Sequence, residues 1–286
     1  KESSAASDVY KRQTLIAALA AVVSFGASAC GGSASASDVD ASKQIRVGTS
    51  PGPYSELFKK GVAPVLEKKG YKLTYTSFSD LQTADIALNE GSVDLNVDQH
   101  SAYIDAFNKN KGGDLVGITP IPTVPAGLYS QTHKSLKDVK NGELVAISQD
   151  ASNLSRGLRL LEKIGWITLK KDADPATATV NDIASNPKNL DIKPMDSGTI
   201  PRSLQDLDYA VIPGSVSYSS KVDSKLELAQ ETLKPEYLLQ ATVKKGNKGK
   251  TWAKDVVKAY KSKDFLNFLD KNNANDYWFV PGELRK

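Results

Sequence analysis

Short segments that alternate apolar and polar residues take turns with longer amphipathic segments from about residue 44 onward. Residues 44–48 and 71–78 alternate as strands do, whereas apolar residues within 54–69 recur at helical spacing. Alternation or short apolar runs predict further strands at residues 93–97, 115–119, 144–147, 190–193, 209–212 and 238–243. Helical patterns are found at residues 80–89, where Gly91 should end the helix, and at 102–108, 153–164, 179–184 and within 252–269. Strands that take turns with helices predict βαβ units and parallel sheets, so the predicted fold class is α/β.

The proline-rich run at residues 120–125 predicts a stiff crossing between two bodies. A second α/β series follows it, and a later strand is expected to return to the first body. The sequence therefore predicts a two-lobed clamshell with two crossings, in which residues 43–123 and 235–286 form lobe 1 and residues 124–234 form lobe 2. Ligands of such folds lie between the lobes, at the carboxyl ends of strands. The loops expected at those ends are residues 48–54, 98–103, 148–156 and 213–218.

The N-terminal segment has the layout of a bacterial signal peptide. Basic residues precede an apolar run at residues 14–29, which is too short for the roughly 20 residues of a membrane span. The only cysteine, Cys30, follows, and the four residues that end there resemble a lipobox with Ala27 in place of the usual leucine. We expect Cys30 to be lipidated and residues 1–42 to be leader, signal peptide and tether; the alternative is an ordinary cleavage site with a buried cysteine. Residues 1–10 fit a signal peptide poorly.

Composition and motifs narrow the function classes. The chain has 286 residues and 37 Lys plus Arg against 33 Asp plus Glu, and a net charge of +4 does not suggest a nucleic-acid partner. One cysteine and two histidines argue against a disulfide and against a Cys- or His-rich metal site. The sequence has no nucleotide-binding, zinc-protease or nucleophile-elbow motif, so we expect no catalytic residue, cofactor or metal. Asp98 and His100 as an acid–base pair of an extracytoplasmic enzyme stay an open alternative.

Ordered matches along the chain carry a resemblance to a known family. They include residues 47–56, residues 87–96 with Gln99, His100 and Tyr103, residues 124–130, 135–138, 150–156, 165–167, 186–190, 201–204 and 210–212. In these the chain resembles the NlpA/MetQ family of substrate-binding lipoproteins, which are extracytoplasmic receptors of ABC importers, most often for methionine. The resemblance implies a non-enzymatic receptor, anchored to the cell membrane through Cys30, that binds an amino acid, with L-methionine the leading candidate. Its implied partners are an ABC permease and ATPase.

The resemblance also implies which residues hold the ligand. Arg156 matches the arginine that pairs with the ligand carboxylate, and a guanidinium can bind a carboxylate through two parallel hydrogen bonds. Asn153 matches an asparagine of the same loop, with an N-cap role as the alternative. His100 and Tyr103 match pocket residues of the opposite lobe, with helix capping and core packing as their respective alternatives.

Three positions depart from the family's pattern. Asp98 and Leu81 stand where the family has aromatic residues, and Pro213 replaces an asparagine. A sulfur–aromatic contact contributes about 0.3–1.5 kcal/mol, so the loss of two rings should weaken selectivity for methionine. Asp98 either faces the cleft, where it could pair with a positive group, or caps the helix at residues 101–108. A receptor for another amino acid or a short peptide, and an adhesin on the same fold, are therefore alternatives.

Overall fold

The computed structural model describes residues 43–273 and 277–286 of the chain. The expected signal peptide, the lipobox and Cys30 lie outside the described residues. Within the described ranges, no helix combines the length and the apolar character that a membrane span requires.

Strands and helices alternate over most of the described chain. The strands are β1 (Gln44–Thr49), β2 (Lys72–Ser77), β3 (Leu95–His100), β4 (Leu115–Pro120), β5 (Gly127–Tyr129), β6 (Leu144–Ser148), β7 (Thr168–Leu169), β8 (Ile183–Ser185), β9 (Asp191–Met195), β10 (Tyr209–Ile212), β11 (Glu227–Gln230) and β12 (Leu239–Lys244). The helices are α1 (Pro53–Leu57), α2 (Ala63–Lys68), α3 (Leu81–Glu90), α4 (Ser101–Lys111), α5 (Ala151–Lys163), α6 (Gly214–Ser219), α7 (Thr251–Tyr260) and α8 (Lys263–Lys271). A π-helical turn at Phe58–Val62 joins α1 to α2.

Two five-stranded sheets organise these elements. The first has the order β2-β1-β3-β12-β4, in which β1 pairs in parallel with β2 and β3, and β12 runs antiparallel to β3 and β4. The second has the order β11-β5-β10-β6-β9, in which β10, β6 and β9 pair in parallel and β5 runs antiparallel to both of its neighbours, β10 and β11. The chain leaves the first sheet after β4 and returns to it at β12. The expected lobes, with boundaries at residues 123/124 and 234/235, stay a prediction.

Each sheet has its own apolar core. Phe58, Tyr260 and Phe265 are fully buried in the core that includes apolar residues of strands β1, β3 and β12. In the second, Leu158 and Leu161 on one face of α5 are fully buried in the core that includes strands β6 and β10. Burying a side chain of this size contributes about 1.5–3 kcal/mol, so these contacts hold the strand ends, and the residues beyond them, in place.

Some element boundaries differ from the sequence prediction. The third strand begins at Leu95 and runs through His100, so Asp98 lies inside β3 and not in the loop after it. Residues 179–184 do not form a helix: a short 3-10 turn, Val180–Asp182, leads into β8, which pairs with β7. The predicted end of α3 is confirmed, since Gly91 has the left-handed φ of 82°.

Candidate ligand-binding cleft

A cleft lined from both sheets brings the predicted ligand-binding residues together. It holds about 820 Å³ of non-protein space, part of which is open to solvent. Its lining includes Tyr54, Asp80, Leu81, Gln82, Asp98, Gln99, His100, Tyr103, Asp150, Asn153, Arg156, Asp196, Ser197, Pro213, Ser215, Val216 and Leu239. All five side chains singled out from the sequence, which are Asp98, His100, Tyr103, Asn153 and Arg156, are among them.

Arg156 lies in the second turn of α5, and its side chain is only 4% exposed. Its guanidinium is paired with Glu231, whose side chain is 5% exposed: Nε donates to both carboxylate oxygens at 2.8 Å, and Nη2 donates to one of them. Nη1 points to Asn153 Oδ1 at 3.5 Å, and the guanidinium lies over the ring of Tyr237 at 5.6 Å. Burial lowers the Arg156 pKa, but the attraction of Glu231 and its hydrogen bonds more than offset this, so the arginine stays charged.

Glu231 fastens this arginine to both crossings between the sheets. Glu231 lies on the second crossing, between β11 and β12, and its carboxylate accepts a hydrogen bond from Ala126 N, on the first crossing, at 2.6 Å. The first crossing also packs closely on Gly214, because a Cβ there would lie 2.6 Å from Val124 O. Glu231 is not among the residues predicted from the sequence, because no neighbouring motif distinguishes it from the other acidic residues of the chain.

His100 connects the two sides of the cleft. It ends β3, and its Nδ1 accepts a hydrogen bond from Tyr103 N at 3.2 Å, which caps α4. Because Nδ1 is the acceptor, the proton of the neutral ring is on Nε2, which can donate to Asn153 Oδ1 at 3.3 Å. Burial, reinforced by the positive charge of Arg156, lowers the pKa of His100 to about 3, so the imidazole is neutral at physiological pH. The capping role and the cleft position are both observed.

The N-cap of α5 is Asp150, so the alternative reading of Asn153 as that cap is wrong. Asp150 Oδ1 accepts from Asn153 N at 3.1 Å and from Asn153 Nδ2 at 3.0 Å. This leaves Asn153 Oδ1 as the acceptor between His100 and Arg156. An amide held in this way links the positive and negative groups of the cleft.

Asp98 faces the cleft and does not cap α4, so its helix-capping alternative is also wrong. The residue is 7% exposed, and its carboxylate accepts from Ser50 N at 2.8 Å and from Ser55 Oγ at 2.9 and 3.0 Å. Burial raises the pKa of Asp98 to about 6, although the hydrogen bonds from Ser50 and Ser55 act in the opposite direction. With this pKa, the Asp98 carboxyl group that lines the cleft is mostly ionised at pH 7 and becomes protonated as the pH falls below about 6.

Tyr103 is half-buried in the first turn of α4. Its ring meets that of His100 edge to face, with centroids 6.2 Å apart. Burial raises the pKa of Tyr103, and the carboxylates of Asp85, Asp150 and Asp80 raise it further, so its hydroxyl stays protonated. The ring packs locally and also lines the cleft, so it can contact an apolar ligand side chain.

Comparison with known proteins gives the family. The model of the family described as NlpA lipoprotein matches residues 45–281. The chain belongs to the NlpA lipoprotein family. The D-methionine-binding lipoprotein MetQ of Salmonella typhi is 31% identical over 265 residues, which cover 92% of this chain and 96% of that protein. The resemblance stated from the sequence is thus confirmed.

Solved structures of relatives share the fold. A nutrient-binding protein from Burkholderia cenocepacia bound to methionine is 34% identical with a TM-score of 0.76, covering 82% of this chain and 99% of that one. An ABC transporter periplasmic substrate-binding protein from Coxiella burnetii is also 34% identical with a TM-score of 0.76, covering 83% and 100%. The predicted α/β clamshell is confirmed.

All three departures from the NlpA pattern lie in the cleft. Leu81 begins α3, Asp98 lies on β3 and Pro213 follows β10, and all three line the cleft. The aromatic rings that the lining keeps include Tyr54 and Tyr103. The changes therefore alter the surface that a ligand would meet, and they do so without altering the arginine and asparagine of α5.

Proposed function

We propose that this member of the NlpA family is the receptor of an ABC importer and binds a single amino acid, with L-methionine the first candidate. The observation that carries the proposal is the convergence of Arg156, Asn153 and His100 in one cleft of a chain whose relatives are named for methionine binding. The receptor would be held at the extracytoplasmic face of the cell membrane through a lipid on Cys30. Residues 124–234 would form the lobe that carries Arg156.

The charges of the cleft suit the zwitterionic end of an amino acid. Arg156 Nη1 can donate to the ligand carboxylate, and the neutral Nε2–H of His100 can add a second donor. The carboxylate of Asp150, which holds the same asparagine, can receive the α-ammonium group. The ligand side chain would then extend toward Tyr103 and Leu81, where the lining is apolar or aromatic.

A second candidate is an amino acid or short peptide that carries an extra positive group. The observation in its favour is the nearly buried carboxyl group of Asp98, where the family has an aromatic ring. A buried carboxylate facing a methionine tail would be costly, whereas an ammonium group would pair with it. The enzyme alternative required Asp98 and His100 to act as an acid–base pair. It loses its support because Asp98 is hydrogen-bonded to Ser50 and Ser55, whereas His100 is hydrogen-bonded to Asn153 and Tyr103.

Mass spectrometry of the ligand released from the denatured protein tests the proposal. We expect the mass of methionine, whereas the mass of a cationic amino acid or of a peptide would favour the second candidate. Calorimetry with the ligand-free protein should then show that Arg156→Ala weakens binding by roughly 2–5 kcal/mol, the range for a buried charge pair. Unchanged affinity of Arg156→Ala would place the carboxylate elsewhere, and conversion of the ligand to a product would overturn the receptor function.

A further inference from the structure

Three metal-ligating side chains converge at the end of the second sheet that is opposite the cleft. Glu143 directly precedes β6 and Asp208 directly precedes β10, and these two strands pair in parallel. Cleft residues such as Pro213 follow the other ends of the same strands. His133 reaches the pair from the segment between β5 and β6, and the ligand atoms of His133, Glu143 and Asp208 all lie within 4.8 Å of one another.

Hydrogen bonds from the main chain orient both carboxylates. Lys140 N donates to Glu143 Oε2 at 2.8 Å, and the other oxygen, Oε1, lies 3.0 Å from His133 Nε2. Leu144 N donates to Asp208 Oδ2 at 2.8 Å. Bonds of this kind hold metal ligands in proteins at their working orientation. The side chains of His133 and Glu143 are each 11% exposed, so the cluster is sheltered but reachable.

The loop that carries the histidine is fastened to the same strand end. Ser130 Oγ donates to Asp208 O at 2.6 Å and accepts from His133 N at 3.0 Å. The imidazole stacks on the ring of Tyr209, with centroids 4.7 Å apart and planes 12° from parallel. These hydrogen bonds and the ring stacking hold His133 against the two carboxylates, so the three side chains keep their relative positions.

The hydroxyl of Tyr209 is an independent sign of a missing polar partner. Tyr209 is fully buried, and its hydroxyl has no hydrogen-bond partner among the described residues. Buried hydroxyls almost always have a partner, and a ligand bound at the cluster would supply one.

We propose that His133, Glu143 and Asp208 bind a divalent transition-metal ion of the Zn²⁺ class, at a site separate from the amino-acid cleft. One imidazole nitrogen and two carboxylate oxygens suit Zn²⁺, whereas Ca²⁺ and Mg²⁺ prefer oxygen ligands alone. Two carboxylates and a neutral imidazole also balance the charge of the ion. The bound ion would lie between His133 and Glu143 and replace their direct contact. The Tyr209 hydroxyl then meets the fourth ligand position, directly or through a bound water.

A metal site at this cluster would depart from the expectation, drawn from composition, that the chain has none. That expectation weighed only sets rich in cysteine or histidine, and the chain has one cysteine and two histidines. The carboxylates come from positions 143 and 208, far apart in the chain, and only the parallel pairing of β6 with β10 places them together.

Zn²⁺ titration of the full, untagged, chelator-treated chain by calorimetry tests the site. We expect one ion per chain, and visible absorption of bound Co²⁺ that reports its low coordination number. His133→Gln and Asp208→Asn should each weaken Zn²⁺ binding by about 10–100-fold or more. A loss of this size follows even when a residue that only hydrogen-bonds to a metal ligand is removed. Tyr209→Phe should shift the Co²⁺ spectrum.

Asp270→Asn is the matched control, because it makes the same change as Asp208→Asn at an exposed carboxylate that pairs with Arg285, and it should leave Zn²⁺ binding unchanged. Circular dichroism checks that each variant is folded. If His133→Gln does not fold, Asp208→Asn alone tests the site. The proposal is overturned if the wild-type chain binds no Zn²⁺, or if His133→Gln and Asp208→Asn bind it as well as the wild type does.

Discussion

The buried pair of Arg156 and Glu231 gives the sharpest test of where the ligand carboxylate binds. In Glu231→Gln the amide oxygen can still accept hydrogen bonds from Arg156 and from Ala126 N, whereas the amide NH2 replaces the second carboxylate oxygen, so the negative charge and one acceptor of Arg156 Nε are lost. An arginine that is 4% exposed then lacks its counter-charge. Leaving one partner of a buried pair uncompensated costs about 3–5 kcal/mol, and we expect the lower end because the amide still accepts.

The ligand should restore part of this loss. If its carboxylate binds at Arg156, it meets an arginine that is no longer neutralised, and a hydrogen bond to a charged group contributes about 1.5–3 kcal/mol. The stabilisation of Glu231→Gln by saturating methionine should therefore exceed that of the wild type. Urea unfolding of the detergent-solubilised chain, with and without methionine, measures both quantities.

Asp270→Asn is the control for this experiment, since Asp270 pairs with Arg285 on the surface, with side chains 52% and 46% exposed. It should leave the unfolding free energy unchanged within error. If methionine stabilises Glu231→Gln and the wild type equally, the ligand carboxylate does not bind at Arg156. If Glu231→Gln unfolds like the wild type without ligand, the pair is not buried as described.

Three further predictions concern selectivity, pH and anchoring. Asp98→Phe is compared with Asp98→Asn by calorimetry against a panel of ligands. Asp98→Phe should strengthen the binding of methionine relative to other amino acids and weaken the binding of cationic ligands. If the ranking of the ligands does not change, Asp98 does not contribute to selectivity. Burial raises the pKa of Asp85 to about 8, although a hydrogen bond from Gln99 opposes this. Between about pH 4 and pH 8 the folded state keeps the Asp85 proton, whereas the unfolded state has already released it. The free energy of unfolding therefore falls as pH rises through this range, by at most about 1.4 kcal/mol per pH unit. Asp85→Asn should flatten this slope in unfolding measured between pH 7 and 8, above the range in which Asp98 and His100 contribute most to the pH dependence. An identical slope would place its cause elsewhere. Cys30→Ser, expressed in a bacterium with its signal, should release the protein from the membrane fraction or leave it unprocessed; a variant that stays bound and is cut at the same place contradicts lipid anchoring.

Local pattern was sufficient for the order of elements and for much of the cleft. The alternation at residues 44–48 and the apolar stripe of α5 depend on the backbone periods of strand and helix, and both elements are observed. Gly91 ends α3 because its left-handed φ suits glycine. The resemblance to the NlpA family then pointed to Arg156 and His100, which the fold brings into one cleft.

The tertiary structure decided whatever depends on partners distant in the chain. Strands β5 and β11 are three and four residues long, too short for a pattern, and exist because each pairs in an antiparallel ladder. The start of β3 moved to Leu95 for the same reason, since pairing with β1 and β12 sets which residues are in the ladder.

The electrostatics of the cleft were likewise outside the reach of the sequence. Glu231 lies 75 positions after Arg156, and Asp98 lies 43 positions after Ser55. Whether a carboxylate is solvated, paired with a cation or held by hydroxyl groups depends on burial and on neighbours that only the folded chain supplies. The sequence alone determined which charged residues exist and which elements carry them. Their partners, and with them their pKa values, were decided by the packing of the two sheets, because electrostatic attraction depends on distance in space and not along the chain.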